Sequence, residues 1–282
     1  MALVREWHFG DGTQAGVQFY RQLELALDEI ASGFNYLSGL KLANNAGDAT
    51  NDIDIATGIA SDTASAYLMA LPASLTKRLD AAWAVGTNQG GRDAGAIGDA
   101  TWHVFLIRRP DTGVVDALFS ASATAPTMPA NYTQKRRIGS IIRTAGAILA
   151  FVQDGDYFCH AAIISDISAL NPGTAAVTRT LTVPLGIRVR ADIVVGFDAT
   201  VPATDAPGSI LISDLSIPDQ APSVVVATTF DYRASENFLA PAGAGVWTNT
   251  SGQVRSRIQI STAGTRLRIL TRGWTDPRGK DG

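Results

Sequence analysis

The stretch TWHVFLIRRPDTGVVDALFS, Thr101 to Ser120, sets two apolar runs on either side of Arg-Arg-Pro-Asp-Thr-Gly. Asp111-Thr112-Gly113 is the kind of triplet in which an aspartic protease presents one of two carboxylates that share a proton. The same residues also suit the tip of a hairpin, and their neighbours decide between the two. Pro110 sets φ near about −65°, as the second position of a type I turn requires. Gly113 accepts the positive φ that lets the chain leave the turn. Arg108 and Arg109 make burial of the carboxylate costly and hold it ionised. The chain contains no second Asp-Thr-Gly. The stretch is therefore two strands around a solvent-exposed turn, and the fold is expected to be built from such hairpins.

The same texture runs outward from it. FVQDGDYF, Phe151 to Phe158, brackets Asp154-Gly155 between apolar runs, a strong hairpin signal. NDIDIATG alternates Asp52 and Asp54 with Ile53 and Ile55, and VRSRIQI and RLRIL alternate likewise, so each has one buried face and one wet face. AYLMALP, RTLTVP, IRVRADIVVGF, SILISDL and SVVVATTF are further expected strands, and SLTKRLDAAW fits a strand or a helix. SASATAPTMPANY, with two prolines among small residues, reads as a crossing loop. Many short strands at regular spacing predict a mainly β chain of antiparallel β-sandwich or jelly-roll-like domains.

One segment breaks the pattern. In VQFYRQLELALDEIASGFNYL the residues Phe19, Leu23, Ala26 and Ile30 recur at 4-3-4 spacing and line one face of a short N-terminal helix. That stripe needs a partner, either the β region of the same chain or copies of the helix in an oligomer core. The expected organisation is a segment over 1–16, the helix over 17–37, a β domain over 38–165 and a second β domain over 166–282.

Composition narrows the function. The 282 residues are 46% hydrophobic and 17% charged, below the roughly 25% charged of ordinary soluble domains. Low charge fits either a surface shared with other protein or a β chain rich in small residues. A net charge of −3 gives no overall basic excess for nucleic acid. One cysteine, Cys159, leaves no internal disulfide and no cysteine zinc site. No apolar run approaches the ~18 residues of a membrane span, and MALVREWHF meets Arg5 and Glu6 before an apolar leader could form.

Chemical motifs are sparse. Gly-x-Ser-x-Gly, Walker A and His-Glu-x-x-His are absent. Cys159 and His160 are neighbours on an expected strand, so they point to opposite faces and form no nucleophile–base pair. NNAGDATNDID supplies oxygen donors at a spacing unlike a calcium loop, and Asx-rich turns explain it. The run Lys135-Arg136-Arg137 with Arg143, Arg108 and Arg109 reads as solvated faces or interface ion pairs, with a basic patch for anionic glycans or phosphates as the sharper alternative. Tyr232, Phe238 and Trp247 lie near Gly/Pro loops, where aromatics stack on sugars or anchor interfaces, although burial is the default for such residues. The chain is expected to be no enzyme and to need no cofactor or metal.

NNAGDATNDIDIATG, LTKRLDAAWAVGTNQGG, WHVFLIRRPDTGVVDALFS, MPANYTQKRRIGSIIR and VQDGDYF together resemble a module of bacteriophage and prophage tail-fibre and related virion proteins. NYTQKRRIGSI followed by the QDGDYF hairpin is the most specific pairing, and the resemblance covers residues 38–165 best. It implies a β-rich, commonly trimeric, non-enzymatic virion structural protein, made in the host bacterial cytoplasm. Its partners would be copies of itself, other virion proteins through the N-terminal segment, and a bacterial cell-surface receptor such as a glycan. Neither nucleic-acid binding nor membrane insertion is implied. Two other roles fit the same fold: a purely architectural head-decoration or baseplate part, and a polysaccharide depolymerase, whose two carboxylates no spacing here nominates.

Overall fold

A computed structural model describes residues 35–199, 207–223, 225, 229–233 and 242–280. The helix stripe Phe19, Leu23, Ala26 and Ile30 lies outside the described residues, as do residues 1–16 and Phe238. The described chain is mainly β, with no helix among the described residues.

Four sheets make up the fold. The smallest joins β1 (Leu37–Gly39), β4 (Gly58–Ser61) and β5 (Leu68–Leu71). The largest has eight strands: β2 (Leu42–Asn44), β3 (Asp52–Ile55), β6 (Leu75–Ala82), β7 (Gln89–Arg92), β8 (Thr101–Arg108), β9 (Val115–Ser120), β10 (Gln134–Thr144) and β11 (Ala147–Ile148). Its order is β11-β10-β8-β9-β7-β6-β3-β2. A five-stranded sheet runs β12-β13-β20-β15-β18, formed by Phe151–Asp154, Tyr157–Leu170, Thr265–Thr275, Arg190–Ala199 and Ala242–Trp247 in that order. The fourth sheet runs β14-β19-β16-β17, formed by Val177–Thr180, Gln253–Ile258, Pro207–Ser213 and Phe230–Arg233.

The opening stretch forms the β8–β9 hairpin, with Arg108 paired to Val115 and His103 to Ser120. The turn closes through Gly113 N–H to Arg109 C=O at 2.8 Å and Arg109 N–H to Val114 C=O at 2.9 Å. Nearly every residue of β8 is buried because both faces are covered. Trp102, Val104 and Leu106 enter the main core, whereas Phe105 and Ile107 join Leu118 and Tyr132 in a second cluster on the other face. The expected crossing loop between β9 and β10 supplies Tyr132 and Met128 to that cluster. This two-sided burial is why TWHVFLI reads as a continuous apolar run rather than an alternating one.

The expectation of purely antiparallel pairing is corrected in the large sheet. β6–β7 and β7–β9 are parallel. Parallel neighbours ordinarily need a crossover of about a dozen residues or more, yet here residues 83–88 suffice. A buried ion pair pins the return. Lys77 Nζ lies 3.1 Å from Asp116 Oδ1, with both side chains sealed from solvent. Lys77 also donates to Ala84 C=O at 2.6 Å and Gly86 C=O at 3.2 Å, while Asp116 Oδ2 accepts from Gly86 N–H at 2.7 Å. Trp83 covers the ammonium, 5.5 Å from ring centroid to Nζ. The ambiguous SLTKRLDAAW is thus a strand, β6, with Lys77 turned inward.

The main core is continuous across the chain, from Leu42, Ile53 and Phe119 to Phe197, Val254 and Ile269. Phe158 stacks on Trp274 at 5.3 Å and reaches Gly139 of β10, where an added Cβ would sit 3.1 Å from its ring. The boundary expected between residues 165 and 166 lies inside β13, which pairs with β20 on both sides of it. Of SVVVATTF, only its last residue, Phe230, enters a described strand.

Candidate functional site

The outer face of the five-stranded sheet gathers polar and aromatic side chains into one row. Register places Tyr157 opposite Thr275, Thr275 opposite Arg190, and Arg190 opposite Trp247. One step along, the facing positions are Cys159, Gly273, Asp192 and Gly245. Alternation along each strand puts all eight on the same face. The opposite face carries Phe158, Ala191, Val246 and Trp274 into the core.

Within this face lies a groove of about 350 Å³, lined by Tyr157, Arg190, Asp192, Gly243, Gly245 and Arg272 among others. Asp192 is its hub. Tyr157 Oη donates to Asp192 Oδ2 at 2.8 Å, and Arg272 Nη2 donates to Asp192 Oδ1 at 2.6 Å. Burial, and then the bond to Asp192, hold the Tyr157 phenol above its ordinary pKa. The Asp192 contact raises Arg272 further, so its charge is constant at any working pH.

The glycines of β18 make the floor. In AGAGVW, Ala244 packs on the core and Val246 is buried, so Gly243 and Gly245 face outward. A Cβ on Gly245 would stand 2.5–2.7 Å from Nη2, Cζ and Nε of Arg190, and one on Gly243 would stand 2.9 Å from Arg272 Nη2. Both guanidinium groups therefore rest on bare backbone. Arg272 reaches there from a bulge of β20, where the pairing with β15 shifts between Asp192 and Ile193.

Of the three aromatics singled out in the sequence, Trp247 is 41% exposed at the end of this row. One side of its ring carries Arg188, whose Cζ is 5.4 Å from the ring centroid and whose guanidinium pairs with Asp214. Tyr232 lies on β17, in the four-stranded sheet, so the structure does not bring it onto the same sheet as Trp247. Sequence reasoning missed Arg190, Asp192 and Arg272, which alternate with apolar residues and read as an ordinary wet face. The available signal was the glycine alternation of AGAG immediately before a tryptophan.

The basic run is the main correction. Arg136 and Arg137 are not solvated: they are 1% and 8% exposed. Arg137 holds Asp276 through Nη1 at 2.5 Å and Nη2 at 2.8 Å. Arg136 donates to Asn35 Oδ1 at 2.8 Å and to the Asn35 and Arg278 carbonyls at 3.3 Å. Arg278 in turn donates to the carbonyls of Ile138, Gly39 and Leu40. Burial pulls both Arg136 and Arg278 below their ordinary pKa, with Arg137 adding to the effect at Arg136. A cleft of about 370 Å³ over Arg136, Arg137 and Arg188 adjoins this network. The donors of Arg136 and Arg137 are already engaged by the protein, so the network serves to clasp β20 and its following residues against β10. Arg109 is one-third exposed and paired with Asp111, and Arg143 is largely covered and paired with Asp99.

The remaining motifs are structural in their geometry. Asp111 takes a two-point contact from Arg109 at 2.8 Å on each oxygen, and that contact holds its carboxyl below the usual range. His103 Nδ1 lies 2.9 Å from Ser140 Oγ, but both residues are fully buried, so this serine is sealed from any substrate. Burial, with the nearby Arg137 charge, lowers His103 to about 4. His160 is buried against the edge of Trp274, on the face opposite Cys159. In NNAGDATNDID, Asn45 Oδ1 accepts from the N–H groups of Gly47 and Asp48, and Asp48 Oδ1 accepts from those of Thr50 and Asn51. These oxygens cap a turn.

No protein-family model matches this chain, and no curated protein matches it.

Proposed function

We propose that the chain is a virion structural protein, a short phage fibre or spike, and that the outer face of its five-stranded sheet contacts a bacterial cell-surface glycan. The observation that carries the receptor reading is the row Tyr157–Thr275–Arg190–Trp247, beside the Asp192–Arg272 pair. Sugar rings present apolar C–H faces that stack on aromatics, and hydroxyl pairs that match carboxylate and guanidinium groups. A groove that offers both on a rigid sheet is suited to such a ligand. The resemblance of residues 38–165 to fibre modules supplies the virion assignment. In this reading the sheets form sandwich-like units, residues 1–16 dock to the particle, and a helix ending before Asn35, since Leu37 already begins β1, trimerises through Phe19, Leu23, Ala26 and Ile30. Several weak sites on one particle then act together.

The test is binding of the purified chain to bacterial cells and to a panel of surface oligosaccharides, with Trp247→Ala as control. Binding that falls by up to about tenfold in Trp247→Ala supports the reading. Retained binding in that variant moves the site elsewhere. Absence of any cell or sugar binding, with tight binding to another virion protein, favours the architectural role. A solution mass near the 29.6 kDa of one chain rejects the trimer.

A further inference from the structure

Resting on the glycan reading above, we propose that the groove selects an acidic sugar, whose carboxylate is received by Arg190 and Arg272. Three features of the groove point there. The first is charge. Its ionised groups are Arg190, Arg272 and Asp192, and Arg190 has no carboxylate partner among the described residues, so the groove carries one uncompensated positive charge. The second is placement. The guanidinium of Arg190 lies broadside on Gly245, and Nη2 of Arg272 lies over Gly243, two residues along the same strand. Any side chain at those glycines would displace them, so the bare backbone lets the two guanidinium groups lie over neighbouring positions of one strand, and a guanidinium fork matches a carboxylate in two-point geometry. The third is access. Arg272 is 41% exposed and donates only through Nη2 among the described residues, which leaves Nη1 for a ligand.

Asp192 argues for an acidic sugar over a phosphate. Its carboxylate borders the forks and would repel a group carrying about two negative charges. It would accept from hydroxyls beside a single carboxylate. Tyr157 and Trp247 flank the row, where a ring could stack.

The experiment uses the full 282-residue chain and calorimetric titration. The probes are uronate- and sialate-containing oligosaccharides, each paired with its carboxyl-reduced neutral twin, and inorganic phosphate as competitor. At least one acid is expected to bind about tenfold or more tightly than its twin. Arg190→Gln should abolish that preference. Gly245→Ala should do the same by pushing Arg190 off the strand, since the added Cβ meets only the end of a flexible side chain. Both variants should melt like the parent and lose far more affinity for the acid than for the neutral twin. Equal binding of acid and twin, or a preference that survives both variants, overturns the acidic assignment and leaves glycan binding standing. Phosphate competing as well as the acid overturns it in favour of a plain anion site. Failure of the parent chain to bind any sugar overturns the glycan reading as well.

Discussion

At Gly113 the backbone has φ +74°, a conformation that a β-branched residue enters only under strain. Gly113→Val should therefore destabilise by about 1–3 kcal/mol. Asp111→Ala, two residues away, should leave the thermal midpoint unchanged, because its pair with Arg109 is exposed on both sides. Equal losses in the two melts would mean that the turn is held by the carboxylate rather than by its backbone. His103 makes the second prediction at this scale. Its folded pKa of about 4 lies below the ordinary 6.5, so between those values the unfolded chain binds the extra proton. Stability from this residue is fully present above pH 6.5, falls as pH drops toward 4, and is then flat. The loss should reach about 3 kcal/mol. Thermal melts across that window should show it, and His103→Asn should shrink the slope. An unchanged slope would assign the acid sensitivity to the carboxylates.

The element most at odds with local expectation is β7, laid parallel to β6 after a return of only residues 83–88. Lys77 and Asp116 hold that return, and burial pulls the lysine below its ordinary pKa without removing its partner. Lys77→Met would leave a buried carboxylate without its cation, at about 3–5 kcal/mol. The amide protons of β7 should then exchange faster than those of β8, whereas uniform acceleration would mean that the pair supports the whole sheet. This element also marks where the sequence stops being informative. Alternation and the Asp-Gly turn identify β12, β13, β19 and β20 because those signals are local. Nothing local says that Lys77 turns inward, since its acceptors lie on a later loop and on β9. The site divides in the same way. Trp247 stands out in the sequence beside a Gly/Pro loop, but burial is the default for such an aromatic, and its exposure is seen only in the fold. Arg190 and Arg272 become neighbours only because β15 and β20 pair, and Arg136 and Arg137 are buried only because Asp276 and Asn35 come from distant parts of the chain.

Across the whole molecule, the sheets share one apolar core and are clasped by the Arg137–Asp276 pair and the Arg278 bonds to Gly39, Leu40 and Ile138. Residues on either side of the expected 165/166 boundary should therefore unfold together. Differential scanning calorimetry is expected to give one transition in which both halves melt together. Two resolved transitions would show that residues 38–165 and 166–280 are energetically separate despite the clasp. Asp276→Asn, which weakens the hold on a buried guanidinium, should lower that midpoint.

The strand order of the five-stranded sheet also constrains how the protein is made. β20 sits between β13 and β15, so neither can complete its pairing until residues 265–275 have been synthesised. About 95 residues separate the end of β13 from the start of β20, roughly 5–20 s of ribosome time. Through that interval β13, which bears the exposed Ile163 and Leu170, keeps an open edge, and β15 adds a second once residues 190–199 are made. Such edges invite mispairing between chains on neighbouring ribosomes. The yield of native protein should thus depend on how densely the message is translated, as well as on the stability of the finished fold.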